Sequence, residues 1–325
     1  MGLQTRLTDL FGVSYPLMSA PMSRHSGGRL AGAMTKAGGI GLFGATNPAG
    51  DAWLRDEIAR ARDLSEGGPF GVGFITHLIP VFPTMFDVAL EERVPVFAFS
   101  FADPSPWIAR AKAAGARVIC QVQEIASAEQ AVRAGTDVLV VQGNEAGGHT
   151  GSSNLFPLLL RAIAEFPEVP VLAAGGIASG RALAAVLSAG ADGAWLGTAM
   201  LATPECHEVA DAYKRQLVAA RSEDTVFTEV FDILDVAAFG IPPWPDRIAG
   251  RAIRNDFLRT WHGNEASLRA RLDQILPEYL LSLTQGDIDK TAIWAGESVD
   301  QIAAIRPVAE IVRTICEQAG EILNG

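Results

Sequence analysis

The chain has 325 residues, with 26 Lys and Arg against 37 Asp and Glu, a net charge of −11. A field of that sign repels phosphodiester backbones and anionic lipid, which argues against nucleic-acid and membrane-surface roles. With 49% hydrophobic and 19% charged residues, disorder is excluded, and a core is expected that suits two ordinary domains or one barrel of ~250 residues.

Met1, Gly2 and the residues after them lead into a mixed polar stretch, without the apolar run of a signal peptide. Arg6 stands where a myristoylation signal needs Ser or Thr. No run of ~18 uncharged apolar residues suggests a membrane span. Cys120, Cys206 and Cys316 are far apart with no CxxC spacing, so neither a disulfide framework nor a thiolate zinc site is expected. The expectation is an acidic cytoplasmic protein without membrane or nucleic-acid partners.

Short apolar runs then alternate with longer amphipathic stretches. Strands are predicted at residues 17–20, 40–43, 71–74, 94–98, 116–121, 137–141, 170–173 and 193–196. They are apolar on both faces, as strands of a fully covered parallel sheet are. Helices are predicted at 51–64, 106–114, 127–134, 155–166 and 181–189, with Gly38, Gly115, Gly135 and Gly190 as left-handed C-terminal caps. The third unit is irregular: Pro80 and Pro83 predict a short helix or a loop across 76–87. Eight βα units without a break in rhythm favour an α/β fold closed as a (β/α)8 TIM barrel over an open doubly wound sheet.

After residue 196 the pattern becomes helical, with predicted helices at 206–220, 253–261, 265–275 and 306–321. A proline-rich elbow, Gly240-Ile241-Pro242-Pro243-Trp244-Pro245, interrupts them. Residues 1–205 are therefore assigned to the barrel, and 206–325 to the last barrel helix followed by a helical cap. Such a cap covers the barrel mouth or supplies a homodimer surface.

Barrel ligands bind where strands end in loops. Those loops read Ala20-Pro21-Met22-Ser23, Gly44-Ala45-Thr46, Gln121, Gln142-Gly143-Asn144-Glu145-Ala146-Gly147-Gly148-His149-Thr150-Gly151, Ala174-Gly175-Gly176-Ile177 and Gly197-Thr198. Gly175-Gly176 and Gly197-Thr198 each precede a helix, where free amides and the helix dipole favour an anion, so a phosphate site is expected there. Taken alone, the glycines also fit plain turns. His149, in a loop dense with glycine, is the candidate proton acceptor or anion-binding group. His25 is placed near the barrel mouth, while His77, His207 and His262 read as structural. Glu145 has no second ligand at metal-binding spacing, so no metal is expected.

Together these loops resemble the nitronate monooxygenase family, formerly 2-nitropropane dioxygenase. The segment QGxEAGGHxG, here Gln142 to Gly151, carries most of the likeness. The resemblance continues weakly through Arg251-Ala252-Ile253-Arg254-Asn255-Asp256-Phe257. It implies an FMN-dependent barrel acting on a small-molecule substrate and O2. On that likeness Ala20, Pro21 and Met22 pack at the isoalloxazine, and Gln121 and Gln142 hydrogen-bond the flavin ring or ribityl chain. Gly147 belongs to the same wall, and Gly175, Gly176, Gly197 and Thr198 hold the phosphate. His149 then takes the α-proton of a nitroalkane or binds its anionic nitronate.

One departure is visible: many members carry Asn at the end of the third strand, where this chain has Gly71-Val72-Gly73-Phe74. The rival readings are a flavin-dependent NAD(P)H reductase, of the enoyl-acyl-carrier-protein or quinone type, a flavin-free sugar-phosphate barrel, and a flavin-binding regulator. The enoyl reductases share the EAGGH loop, but usually carry an acidic residue where Gln142 stands.

Overall fold

The computed structural model describes residues 3–325. In chain order its strands are β1 (Leu17–Ser19), β2 (Gly41–Gly44), β3 (Phe70–Ile75), β4 (Val96–Ser100), β5 (Arg117–Val122) and β6 (Val138–Gln142). They continue as β7 (Gly148–Thr150), β8 (Val171–Ala174), β9 (Gly193–Leu196), β10 (Thr225–Thr228) and β11 (Ala249–Ile253).

The eight predicted strands correspond to β1–β6, β8 and β9, all paired in parallel in the order β1-β9-β8-β6-β5-β4-β3-β2. A parallel bridge between Met18 and Ile40 closes the ring, so the sheet has no free edge. The two-sided apolar pattern has its cause here. Met18, Leu42, Ile119, Val140, Leu172 and Trp195 fill the interior, while Leu17, Phe43, Val72, Phe97 and Val118 face the surrounding helices.

The irregular third unit is a 3-10 turn, Thr76–Leu78, followed by a helix Pro83–Glu91. Pro83 starts that helix, where a missing N–H costs nothing. Gly38, Gly115, Gly135 and Gly190 all have positive φ, as end caps should.

The eighth barrel helix differs from the expected one. The sequence pattern places it directly after the last strand, but the helix that packs against both Gly180–Ser188 and Gly28–Lys36 is the C-terminal one, Val308–Asn324. Its Val308, Ile311, Val312, Ile315 and Ala319 are buried in the outer core. At Gly180 an added Cβ would fall 2.8 Å from the Ile315 carbonyl oxygen, so these two helices touch backbone to backbone. The cap is thus an insertion between β9 and the final helix.

The cap is also not wholly helical. β10, β11 and β7 form an antiparallel sheet, with β11 in the middle. Ile253, expected to begin a helix, ends β11 instead. Asn255 caps the next helix, Asp256–Trp261, by accepting from the Leu258 amide at 3.0 Å. Among the described residues no helix is long and apolar enough to cross a membrane.

Candidate active site

A cavity of about 420 Å³ opens at the C-terminal ends of the barrel strands. Ala20, Pro21, Met22, Gln121, Gln142, Gly147, His149, Gly175, Gly176, Gly197 and Thr198 all line it. These eleven residues are therefore brought to one place. His25 lines it too, and so does Gly73, directly against Pro21.

The loop after β8 is shaped for backbone approach. Gly175 and Gly176 have φ of 109° and 70°, a region costly for residues with a Cβ. Gln301 holds this turn from both sides, donating to the Gly176 carbonyl at 2.8 Å and accepting from the Ala178 amide at 3.1 Å. Ser179 caps the helix Gly180–Ser188 through the Ala182 amide at 3.3 Å. The amides of Gly176, Ile177 and Gly197 are left without an acceptor among the described residues. A Cβ on Gly197 would meet nothing closer than Ala20 at 3.8 Å, so that backbone borders open space. Unpaired amides around a cavity are the donor set a phosphate needs.

Trp195 adds a second unmet donor. It is 3% exposed and lines the cavity from β9, yet its Nε1 has no partner among the described residues. Buried donors without acceptors are rare in folded proteins. A group rich in acceptors, such as a flavin mononucleotide, fits both this site and the amide cradle.

The two glutamines and Thr198 differ in how far they are committed. Gln142 is tied into the loop, donating to the His149 carbonyl at 3.1 Å and accepting from Gln123 at 2.9 Å. Gln121 lines the cavity with an amide that has no partner among the described residues. Thr198 accepts from the Gly296 amide at 3.0 Å and keeps its hydroxyl proton to donate. Gly147 has a packing reason of its own: a Cβ there would lie 2.3 Å from the Gly296 nitrogen.

His149 is held by the cap. It lies in β7, opposite Gly250 of β11, so part of the expected loop is a strand. Arg251, buried in the same strand, fixes the turn before it by donating to the Asn144 carbonyl at 2.9 Å and the Asn144 side chain at 2.7 Å. The imidazole stacks on Trp244 with centroids 3.5 Å apart and planes within 13°. Its Nε2 donates to Asp232 Oδ1 at 2.6 Å. Trp294 and Phe101 flank the ring.

Asp232, Trp244 and Trp294 were not singled out in the sequence. Only Trp244, alone in a run of prolines, carried any local signal.

Asp235 and His25 bring polar groups to the cavity wall. Asp235, one turn after Asp232, accepts from the Tyr279 hydroxyl at 2.7 Å. Burial raises its pKa above the usual carboxylate range, with the Tyr279 hydrogen bond and Arg24 opposing the shift. Burial likewise lowers the His25 pKa, which keeps that imidazole neutral. His77 lies just behind, edge-on to Trp244 at 4.8 Å, with Nε2 buried and unpartnered among the described residues.

Fold and site together define a (β/α)8 barrel with a ligand cavity at the C-terminal ends of its strands. The chain belongs to the nitronate monooxygenase family, whose model matches residues 4–83 and 79–318. The family is a flavoprotein family.

Among relatives, the chain is 35% identical over 230 residues to the (3aS,4S,5R,7aS)-5-hydroxy-7a-methyl-1-oxo-octahydro-1H-indene-4-carboxyl-CoA dehydrogenase of Rhodococcus jostii. That match covers 71% of this chain and 64% of the relative, so the chain spans less than two thirds of the relative's length. It is 30% identical to a nitronate monooxygenase of Pseudomonas aeruginosa, the match covering 96% of this chain and 98% of that one. Among solved structures, FabK from Thermotoga maritima superposes with a TM-score of 0.86 at 31% identity, covering 99% of this chain and 98% of that one.

Proposed function

We propose that the protein is an FMN-dependent enzyme that oxidises alkyl nitronates, and nitroalkanes through them, with O2 to a carbonyl compound and nitrite. The observation that carries this reading is His149 on the wall of the same cavity as the unpaired amides of Gly176, Ile177 and Gly197. The barrel, built from residues 3–205 and the C-terminal helix Val308–Asn324, holds the cofactor in this reading, and the cap inserted between them supplies the wall around His149.

In this reading Gly175, Gly176, Gly197 and Thr198 hold the phosphate. Ala20, Pro21, Met22 and Gly147 wall the ring system, and Gln121 and the Trp195 indole offer it hydrogen bonds. Gln142 shapes the loop that carries His149. When bound, FMN would supply the redox chemistry between substrate and O2.

His149 takes the α-proton of a neutral nitroalkane at Nδ1, since Nε2 is engaged with Asp232. The imidazolium so formed lies beside the anion it has generated and offsets its charge. The rings of Trp244, Trp294 and Phe101 border the imidazole, and such apolar neighbours lower the local dielectric and strengthen that attraction.

Replacing His149 with Ala in FMN-loaded protein tests the reading. FMN should stay bound, while turnover of a neutral nitroalkane falls about 10²–10⁴-fold, the usual worth of a general base. Unchanged nitroalkane kinetics would overturn the assignment of the base.

A second reading, an NAD(P)H-dependent flavin reductase, is favoured by one observation, the full-length likeness to FabK. It uses the same cavity and cradle, and differs in the electron donor.

A further inference from the structure

We infer that Asp232 is a positioning residue: its carboxylate fixes the His149 ring so that Nδ1 is the nitrogen offered to a substrate proton. The inference rests on the reading of His149 as the base and goes beyond it, to a residue 83 positions away in the chain.

Asp232 sits in the first turn of the helix Val230–Phe239 and is 8% exposed. Its Oδ1 accepts from His149 Nε2 at 2.6 Å, a short charge-assisted contact. Its Oδ2 is buried with no partner among the described residues. A carboxylate has about four acceptor sites, and here the imidazole is the only protein donor among the described residues. An acid placed purely for stability is expected to gather several donors, because a buried charge with one partner is poorly compensated.

The ring has two independent restraints. The bond to Asp232 lies in its plane, and Trp244 covers one face at 3.5 Å. Rotation about the ring axis would break the first, and tilting would break the second. A neutral imidazole that donates from Nε2 accepts at Nδ1. Nδ1 has no protein partner among the described residues, and the residue lines the cavity. Asp232 therefore selects the tautomer as well as the orientation.

An amide at position 232 keeps the size and an acceptor oxygen but loses this selection, because its –NH2 can donate to the ring and stabilise the other tautomer. The test compares FMN-loaded Asp232→Asn and Asp232→Ala with the parent, on a neutral nitroalkane and on its preformed nitronate. Turnover of the nitroalkane should fall about 100-fold or more in both variants. Turnover of the nitronate, already deprotonated, should fall no more than about threefold, with FMN retained. In the parent, the shielded Nε2 proton should give a far-downfield proton resonance that both variants lose.

Nitroalkane turnover by Asp232→Asn within about twofold of the parent would overturn the inference, as would equal losses on both substrates. Should neither variant fold, the parent resonance decides, and its absence counts against the pairing. The outcome is separable from the broader reading. If His149→Ala is slow and Asp232→Asn is not, only the positioning role fails; if His149→Ala is itself unchanged, the base is misassigned.

Discussion

Pro21 occupies the space that a side chain at position 73 needs. A Cβ built on Gly73 would lie 2.2 Å from Pro21 Cγ and 2.3 Å from Pro21 Cβ. The Asn that many family members place on this strand is thus not simply missing here. The proline ring has packed into its place, and the wall it forms is apolar. Gly73→Asn should cost about 1–3 kcal/mol in denaturant unfolding, the usual range for overpacking. Pairing it with Pro21→Ala should recover part of that loss. Full parental stability in the single variant would show that the strand and loop separate freely.

Gly175 and Gly197 make a contrasting pair. At Gly175, φ is 109°, and a Cβ would stand 3.2 Å from the Ala146 nitrogen. Gly175→Ala should lose about 1–2 kcal/mol of stability from left-handed strain, together with FMN affinity. At Gly197 the nearest atom is 3.8 Å away. Gly197→Ala should keep its stability and lose only affinity, because the methyl stands in the cavity. Melting curves and flavin titration separate the two. Equal FMN binding by the parent and both variants would place the phosphate elsewhere.

Asp235 links stability to pH. Burial, opposed by the Tyr279 hydrogen bond and Arg24, raises its folded pKa above that of the unfolded chain. Between the two values the folded state binds more protons than the unfolded state, so stability falls as pH rises through that window. The window opens at about pH 4, the ordinary carboxylate value. Asp235→Asn keeps an acceptor for Tyr279 and removes the ionisation. Its melting temperature relative to the parent should rise from pH 4 to pH 8. A difference independent of pH would mean that Asp235 ionises in the folded protein as readily as in water.

The barrel was legible because its strands carry the signal on both faces: Val138–Gln142, buried throughout, needs no partner to be recognised. The cap strands were not. Thr225–Thr228 and Ala249–Ile253 are short, and the second holds Arg251, whose guanidinium donates to Asn144 and pairs with Glu297, both far away in sequence. The position of the last barrel helix was hidden for another reason. Val308–Asn324 has the apolar stripe of any amphipathic helix, and nothing local says that it returns to Gly180 across the inserted cap. In the site, glycines and His149 announced themselves through unusual local composition. Asp232 did not, since an acid in the first turn of a helix is already explained by the helix dipole.

The proposed reaction passes electrons from a nitronate to a flavin held in this cavity. The most direct test is anaerobic mixing of the FMN-loaded protein with an alkyl nitronate, NADH or NADPH, following the visible absorbance of the flavin. Rapid bleaching by the nitronate, with recovery of colour and release of nitrite when O2 is admitted, is the predicted result. Rapid bleaching by a nicotinamide and none by the nitronate would contradict it.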